Sequence, residues 1–220
     1  MRTTLIRMST CLLVVLAPMT LAFSMAQVAF ADAIPYPSVG TPNPITYTFT
    51  ATTTGDVIAY FAGSTAAYDN ELGLLVNGIS SGVIGLDNHS SSLGQSLDLG
   101  HANAGDTLVF VLQNNTLGMK AYSDSSLNVA YDINGSVGHN HVYSTPYTAT
   151  SPIFDSIPVG TFVAFEDLQF PNSDFNYNDE DFVFTNVTGS PTTVPEPGTL
   201  FLFGTGLLGL GKAVKRKLFC

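Results

Sequence analysis

The residues best suited to chemistry lie in one stretch, Phe165 to Phe184, which reads FEDLQFPNSDFNYNDEDFVF. It contains six acids and three asparagines but no base, in a chain of which only 11% of residues are charged. Carboxylate and amide oxygens are the ligands that Ca²⁺ prefers, whereas Zn²⁺ and copper favour Cys and His. Two carboxylates ~4 Å apart repel each other by about 1 kcal/mol even in water, and a divalent ion would reverse that cost. The stretch therefore predicts a calcium site, with a loop whose acids face solvent as the open alternative.

The predicted ligands come from both ends of this stretch and from a central segment in which polar and aromatic residues alternate. In an extended chain, Asp174, Asn176 and Asn178 would point to one side and the aromatic rings between them to the other. An EF-hand loop begins with a similar pattern, but Asp179 stands where that loop needs Gly and Thr185 where it needs Glu, so an EF-hand is excluded. The predicted metal ligands are Glu166, Asp167, Asp174, Asn176, Asn178, Asp179 and Asp181.

The elements that must position these residues are predicted to be strands. Short runs rich in Val, Ile, Thr, Phe and Tyr recur between Gly, Asn, Asp and Ser clusters, and no long window of the body has a helical period. The pattern predicts an all-β fold, a single jelly-roll-like β-sandwich over residues 45–188, flanked by proline-rich linkers at 32–44 and 189–197. The predicted strands are 45–52, 56–63, 72–78, 106–113, 127–133, 139–145, 161–167 and 181–187.

Both ends of the chain have the pattern of export signals. Residues 1–31 combine two arginines, an apolar run and the cleavage site Ala29-Phe30-Ala31, which predicts a secretory signal peptide. Cleavage after Ala26 and an uncleaved anchor are the alternatives. Residues 198–214 are predicted to form a transmembrane helix, followed by a basic cytoplasmic tail at 215–220. The bases that flank this segment are Lys212, Lys215, Arg216 and Lys217.

The C-terminal pattern resembles a known sorting signal. Pro195-Glu196-Pro197, a short apolar helix and a terminal basic cluster are similar to the PEP-CTERM signal of Gram-negative bacteria, also called the ice-binding protein C-terminal domain. The resemblance implies processing near this box by an exosortase, transit through the inner membrane, and an association with exopolysaccharide and biofilm.

The acidic stretch resembles a second family. Phe165-Glu166-Asp167-Leu168, the segment from Asp174 to Asp179, and Phe182-Val183-Phe184 are similar to the signature of the bacterial domain of unknown function 4114. Asn176 replaces the second Asp of that signature. The family has no established activity, so the resemblance implies an extracellular β domain and nothing about chemistry.

The charge of the body excludes several partners. All 17 acids lie between Asp32 and Pro197, together with only one base, Lys120. Such a body should repel nucleic acid and anionic lipid and attract cations. Both cysteines, Cys11 and Cys220, lie outside it, so no internal disulfide is expected.

The sequence contains only incomplete matches to catalytic motifs. Residues 78–82 satisfy G-x-S-x-G, but that elbow needs a helix after the serine, and a strand-like run follows. His139 and His141 would lie on one strand face, either as half a zinc site or, as we expect, as an exposed pair. A glycosidase pair of Glu166 with Asp179 or Asp181 would lack a sugar platform, because the chain has no Trp.

The sequence thus predicts a non-enzymatic, exported protein of the cell surface or extracellular matrix, stabilised by Ca²⁺ and associated with exopolysaccharide. Its expected partners are an exosortase-type enzyme, the inner membrane during sorting and exported polysaccharide. A carbohydrate-binding module for that polysaccharide is the alternative, and a glycan hydrolase is a weaker one.

Overall fold

The structure, a computed structural model, describes residues 36–133, 137–148 and 157–192. The predicted signal peptide, transmembrane helix, Pro-Glu-Pro box and basic tail all lie outside these ranges. Within them, no helix is long and apolar enough to cross a membrane.

The described chain consists of strands and one short 3₁₀ helix, which confirms the all-β prediction. In chain order the elements are β1 Thr46–Ala51, β2 Gly55–Gly63, β3 Asn70–Val76, β4 Ile79–Gly85, β5 Ser96–Ala102, β6 Thr107–Asn114, β7 Met119–Tyr122, the 3₁₀ helix Ser125–Ala130, β8 Val142–Tyr147, β9 Gly160–Phe165, β10 Glu180–Thr185 and β11 Val187–Thr192.

These strands form two antiparallel sheets with a hydrophobic core between them. The first sheet has the order β11-β1-β6-β3-β4, with β7 also paired to β6, and the second has the order β5-β2-β10-β9-β8. Phe110 of the first sheet stacks on Phe184 of the second, with ring centroids 3.8 Å apart. Both rings are fully buried, as expected for the inner faces of a sandwich.

The outer face of the second sheet is also covered. A smaller apolar cluster there includes Tyr36, Phe162, Tyr177 and Val183. Because both faces of β9 and β10 are buried, their sequences read as almost continuous apolar runs. Residues 36–44, predicted to be part of a linker, pack against this face through Tyr36, whose ring lies 4.7 Å from that of Tyr177.

One predicted strand and one predicted linker boundary are wrong. The predicted strand 127–133 is largely the 3₁₀ helix, because the side chain of Asp124 accepts a hydrogen bond from the Ser126 amide and caps a helical turn. β11 occupies residues 187–192, so the predicted linker at 189–197 begins inside a strand that pairs with β1 through Thr46–Thr192. Pro191 is tolerated there because β11 is an edge strand.

Candidate metal site

The antiparallel pairing of β9 and β10 brings three acids together. Glu166 and Asp167 directly follow β9, Asp179 directly precedes β10, and Phe165 at the end of β9 pairs with Glu180 at the start of β10. One carboxylate oxygen from each of Glu166, Asp167 and Asp179 lies within 4.8 Å of the other two. All three residues are buried, with 1%, 3% and 7% of their surface exposed.

Hydrogen bonds hold this group of three carboxylates, hereafter the triacid site, in place. The Asp167 amide donates to Oδ2 of Asp179 at 2.8 Å. Asn70 Nδ2 donates to Oδ2 of Asp167 at 2.7 Å, and the Asn176 amide donates to Oε2 of Glu166 at 3.2 Å. All these donors are neutral. Lys120 is the only lysine or arginine among the described residues, and it is exposed on β7.

The pKa values of all three acids of the triacid site are raised above their ordinary values. Burial, followed by the charge of Asp174, raises the pKa of Glu166 to about 7. Burial and the neighbouring charges of Asp167 and Glu166 raise the pKa of Asp179 to about 9. Burial likewise raises the pKa of Asp167. A site that disfavours its own ionisation in this way favours a cation that restores the charge balance.

The other predicted ligands are placed differently. Asp174 is exposed, although its charge acts on all three acids of the triacid site. The side-chain oxygen of Asn176 accepts from the Asn178 amide at 3.1 Å, and that of Asn178 accepts from Thr65 Oγ1 at 2.8 Å. Asp181 pairs with Ala164 of the outer cluster and therefore has the register of the opposite face of β10.

The central alternation fails because the backbone is not extended there. Phe175 and Tyr177 have positive φ values of 53° and 51°. Tyr177 is nevertheless fully buried, and its hydroxyl accepts a hydrogen bond from the Asn43 amide at 2.9 Å. Tyr177 therefore anchors the loop, but the three oxygen-bearing side chains are not aligned on one side.

Sequence reasoning missed several residues beside the triacid site. Tyr131 donates a hydrogen bond to the Asp167 carbonyl. His141, expected to be exposed, is buried: its Nδ1 lies 3.0 Å from the Glu166 carbonyl and its Nε2 lies 2.9 Å from Oδ1 of Asp132. His139 Nδ1 lies 3.0 Å from the other oxygen of Asp132. The two histidines thus share a carboxylate partner, a contact that only the fold reveals.

The pKa of Asp132 is lowered although the residue is buried. Burial alone would raise its pKa, but hydrogen bonds from His141 and from the backbone amides of His139 and Phe170 outweigh burial and lower the pKa well below its ordinary value.

The G-x-S-x-G segment does not have the strand-then-helix geometry of a nucleophile elbow, since Ser80 lies within β4 and the next element is the strand β5.

Comparison with known proteins locates one feature of the chain. Residues 193–217 match the family model of the PEP-CTERM protein-sorting motif. A motif of this kind implies export, anchoring in the membrane during sorting, and recognition by an exosortase. The motif suggests an exported protein that is sorted by an exosortase, and in this chain an all-β domain with a buried acidic site lies ahead of the matched residues.

The family match does not extend into the β domain. No curated protein and no solved structure matches the chain. The resemblance to the domain of unknown function 4114 has no support from them.

Proposed function

We propose that the chain is a non-catalytic protein of the cell surface or extracellular matrix whose β domain is stabilised by Ca²⁺ bound at the triacid site. The observation that carries this proposal is the burial of three carboxylates within 4.8 Å of one another, while the only lysine or arginine among the described residues, Lys120, is exposed on β7. Their ligand atoms are all oxygens, which favours Ca²⁺ over Zn²⁺ or copper.

The bound ion would stabilise the domain by linking two strand ends and the loop between them. Glu166 and Asp167 directly follow β9 and Asp179 directly precedes β10, so all three lie within the connection formed by residues 166–179. Connections longer than about 12 residues without secondary structure are uncommon in compact domains unless they are functional. An ion that neutralises the triacid site would therefore hold the longest continuously described loop between strands.

Thermal unfolding with and without calcium tests this proposal. At ten times its dissociation constant, a ligand adds roughly 1.4 kcal/mol of stability, which corresponds to a few degrees in Tm for a domain of this size. Extracellular calcium sites have Kd values of about 10⁻⁴ to 10⁻³ M, so millimolar calcium is the appropriate range. Equal Tm values in EDTA and in calcium would refute the proposal.

Matched variants separate the site from general acidity. Glu166→Gln and Asp179→Asn should each abolish the calcium-dependent rise in Tm. Asp98→Asn is the control, because Asp98 is exposed on β5 and its Oδ1 bond to the Gly100 amide, 2.9 Å long, can be kept by Asn. A control variant that also lost the calcium response would show that the response is not specific to the site.

A carbohydrate-binding role is the second candidate. A polar groove of about 160 Å³ on the first sheet is lined by hydroxyl-bearing residues, including Thr46, Thr107, Ser123 and the half-buried Tyr47. Hydroxyls and one aromatic ring can bind a sugar edge and face. Titration with the host's own exported polysaccharide tests this role, and Tyr47→Ala should weaken any binding that occurs in this groove.

A further inference from the structure

Asn70 is a buried residue that reaches the triacid site from the other sheet. It is the first residue of β3 in the first sheet, and none of its surface is exposed. Its side-chain Nδ2 donates to Oδ2 of Asp167 at 2.7 Å, although the two residues are 97 positions apart in the chain. Asn70 is therefore in direct contact with one of the three acids of the triacid site.

The side-chain oxygen of Asn70 is buried and has no hydrogen-bond partner among the described residues. Leaving a buried acceptor unsatisfied costs about 1–3 kcal/mol. Turning the amide over would place Oδ1 against a carboxylate oxygen of Asp167 and give up the existing hydrogen bond, so the observed orientation is the favourable one. The unsatisfied oxygen thus calls for a donor or a cation from outside the described residues.

The other buried asparagines of the described chain show that this arrangement is unusual. Asn114 is the closest match, since it lies directly opposite Asn70 in the pairing of β3 with β6. Its Oδ1 accepts from the Leu117 amide at 2.9 Å, and its Nδ2 donates to the Asp167 carbonyl at 3.4 Å. Partners at both ends of the side-chain amide are also present in the two remaining cases, Asn43 and Asn128.

The oxygen of Asn70 is close enough to the triacid site to share an ion with it. Within the amide, Oδ1 and Nδ2 are bonded to the same trigonal carbon and lie about 2.3 Å apart. Oδ1 is therefore at most about 5.0 Å from Oδ2 of Asp167. Two oxygens that bind one Ca²⁺ ion can be up to about 5.2 Å apart, because each lies up to about 2.6 Å from the ion.

We propose that the side-chain oxygen of Asn70 is a fourth ligand to the ion of the triacid site, a role that rests on the calcium binding proposed above. Ca²⁺ takes about six to eight oxygen ligands, asparagine carbonyls among them, and three carboxylates that offer one oxygen each supply only three. Nδ2 of Asn70 holds Asp167 in place while Oδ1 of the same amide binds the ion. Because Asn70 belongs to the first sheet and the three acids flank β9 and β10 of the second, the ion joins the two sheets.

Counting the water molecules on a bound Eu³⁺ ion tests this proposal. Eu³⁺ is a hard cation that takes oxygen ligands, and its luminescence decays faster in H₂O than in D₂O in proportion to the number of coordinated waters. On the full chain, purified in detergent and freed of metal, Asn70→Ala should raise this number by one, since water replaces the lost ligand. Asn114→Ala is the matched control, because it removes an equally buried amide that also bonds to Asp167, yet it should leave the number unchanged.

Two further measurements complete the test. Asn70→Ser should also add one water, because its shorter side chain does not reach the ion, and it keeps the test available should Asn70→Ala fail to fold. Calcium should displace Eu³⁺ from the wild-type chain, and Glu166→Gln should lower the affinity for Eu³⁺, which locates the ion at the triacid site.

The possible outcomes separate this proposal from the one on which it rests. A wild-type chain that binds neither ion, or equal Eu³⁺ affinity in Glu166→Gln, overturns the calcium site and the fourth ligand with it. Binding at the triacid site with the same water count in the wild type, Asn70→Ala and Asn70→Ser leaves the calcium site and overturns the role of Asn70. A rise that Asn114→Ala shares also overturns this role, because it reflects a general loosening of the site.

Discussion

The buried carboxylate of Glu166 predicts an unusual pH dependence for the calcium-free domain. In the folded state its pKa is raised from 4.5 to about 7, so the folded chain keeps this proton when the unfolded chain has lost it. The stabilising contribution of the protonated group is complete below pH 4.5 and is lost as the pH rises through 7. In EDTA, stability should therefore fall between pH 5 and pH 8.

The size of this fall follows from the shift itself. Each pKa unit corresponds to 1.36 kcal/mol, so Glu166 alone accounts for about 3 kcal/mol of lost unfolding free energy. For a domain of this size, that is a drop in Tm of roughly 6 to 12 °C. Asp179, with a pKa of about 9, adds a loss in the same direction and extends it to higher pH. Asp132, whose pKa is lowered, loses its contribution only at acidic pH, outside this window.

Thermal melts at pH 5, 6, 7 and 8, in EDTA and in millimolar calcium, measure both effects. Calcium binds the ionised carboxylates, so its stabilising effect should grow as the pH rises. Glu166→Gln should flatten the EDTA profile by about 3 kcal/mol, whereas Asp98→Asn should follow the wild-type profile. A wild-type Tm in EDTA that stays level or rises from pH 5 to pH 8, or a calcium effect that shrinks over this range, would refute the reasoning.

Three further predictions concern the core, the last strand and the sorting signal. Phe110→Ala should cost about 3–5 kcal/mol in urea unfolding, because it removes a fully buried ring stacked on the opposite sheet. A chain ending after Thr192 should unfold at a Tm close to that of the full chain, whereas one ending after Thr185 should melt markedly lower, since β1 loses the neighbour it pairs with along its whole length. Replacing Pro195-Glu196-Pro197 by alanines should leave full-length protein in the membranes of exosortase-positive cells; mass spectrometry that still finds a shortened C-terminus would contradict the role of this box.

Much of the fold was predictable where strands are buried on alternate or both faces. The sequences of β2, β6, β9 and β10 are rich in Val, Phe and other β-forming residues, and each was predicted within a few residues of its bounds. β4 and β5 contain Ser, Gly or Asp at several positions, and β7 has only four residues, one of them Lys, so their apolar pattern is too weak to identify a strand. Their backbone pairing with stronger neighbours determines their conformation.

The candidate site, like the fold, could be predicted from the sequence only in part. Glu166, Asp167 and Asp179 could be predicted because acids crowd at the facing ends of two strands that the sequence identifies. Asn176 and Asn178 could not be excluded, since a left-handed backbone at Phe175 and Tyr177 is not visible in an alternating pattern of residues.

Four properties can be predicted from the sequence alone: candidate ligands that are all oxygens, a body with a single lysine or arginine, an all-β fold and a sorting motif at residues 193–217. Local composition and periodicity are enough for these properties. Which side chains meet at the site depends on how the strands pair and how the two sheets pack. Asn70 and Asp167 are far apart along the chain, and β3 and β9 lie in different sheets, so packing of the sheets brings Nδ2 of Asn70 within 2.7 Å of Oδ2 of Asp167. The outcome depends on long-range register, which shifts every side chain to the other face when it slips by one residue.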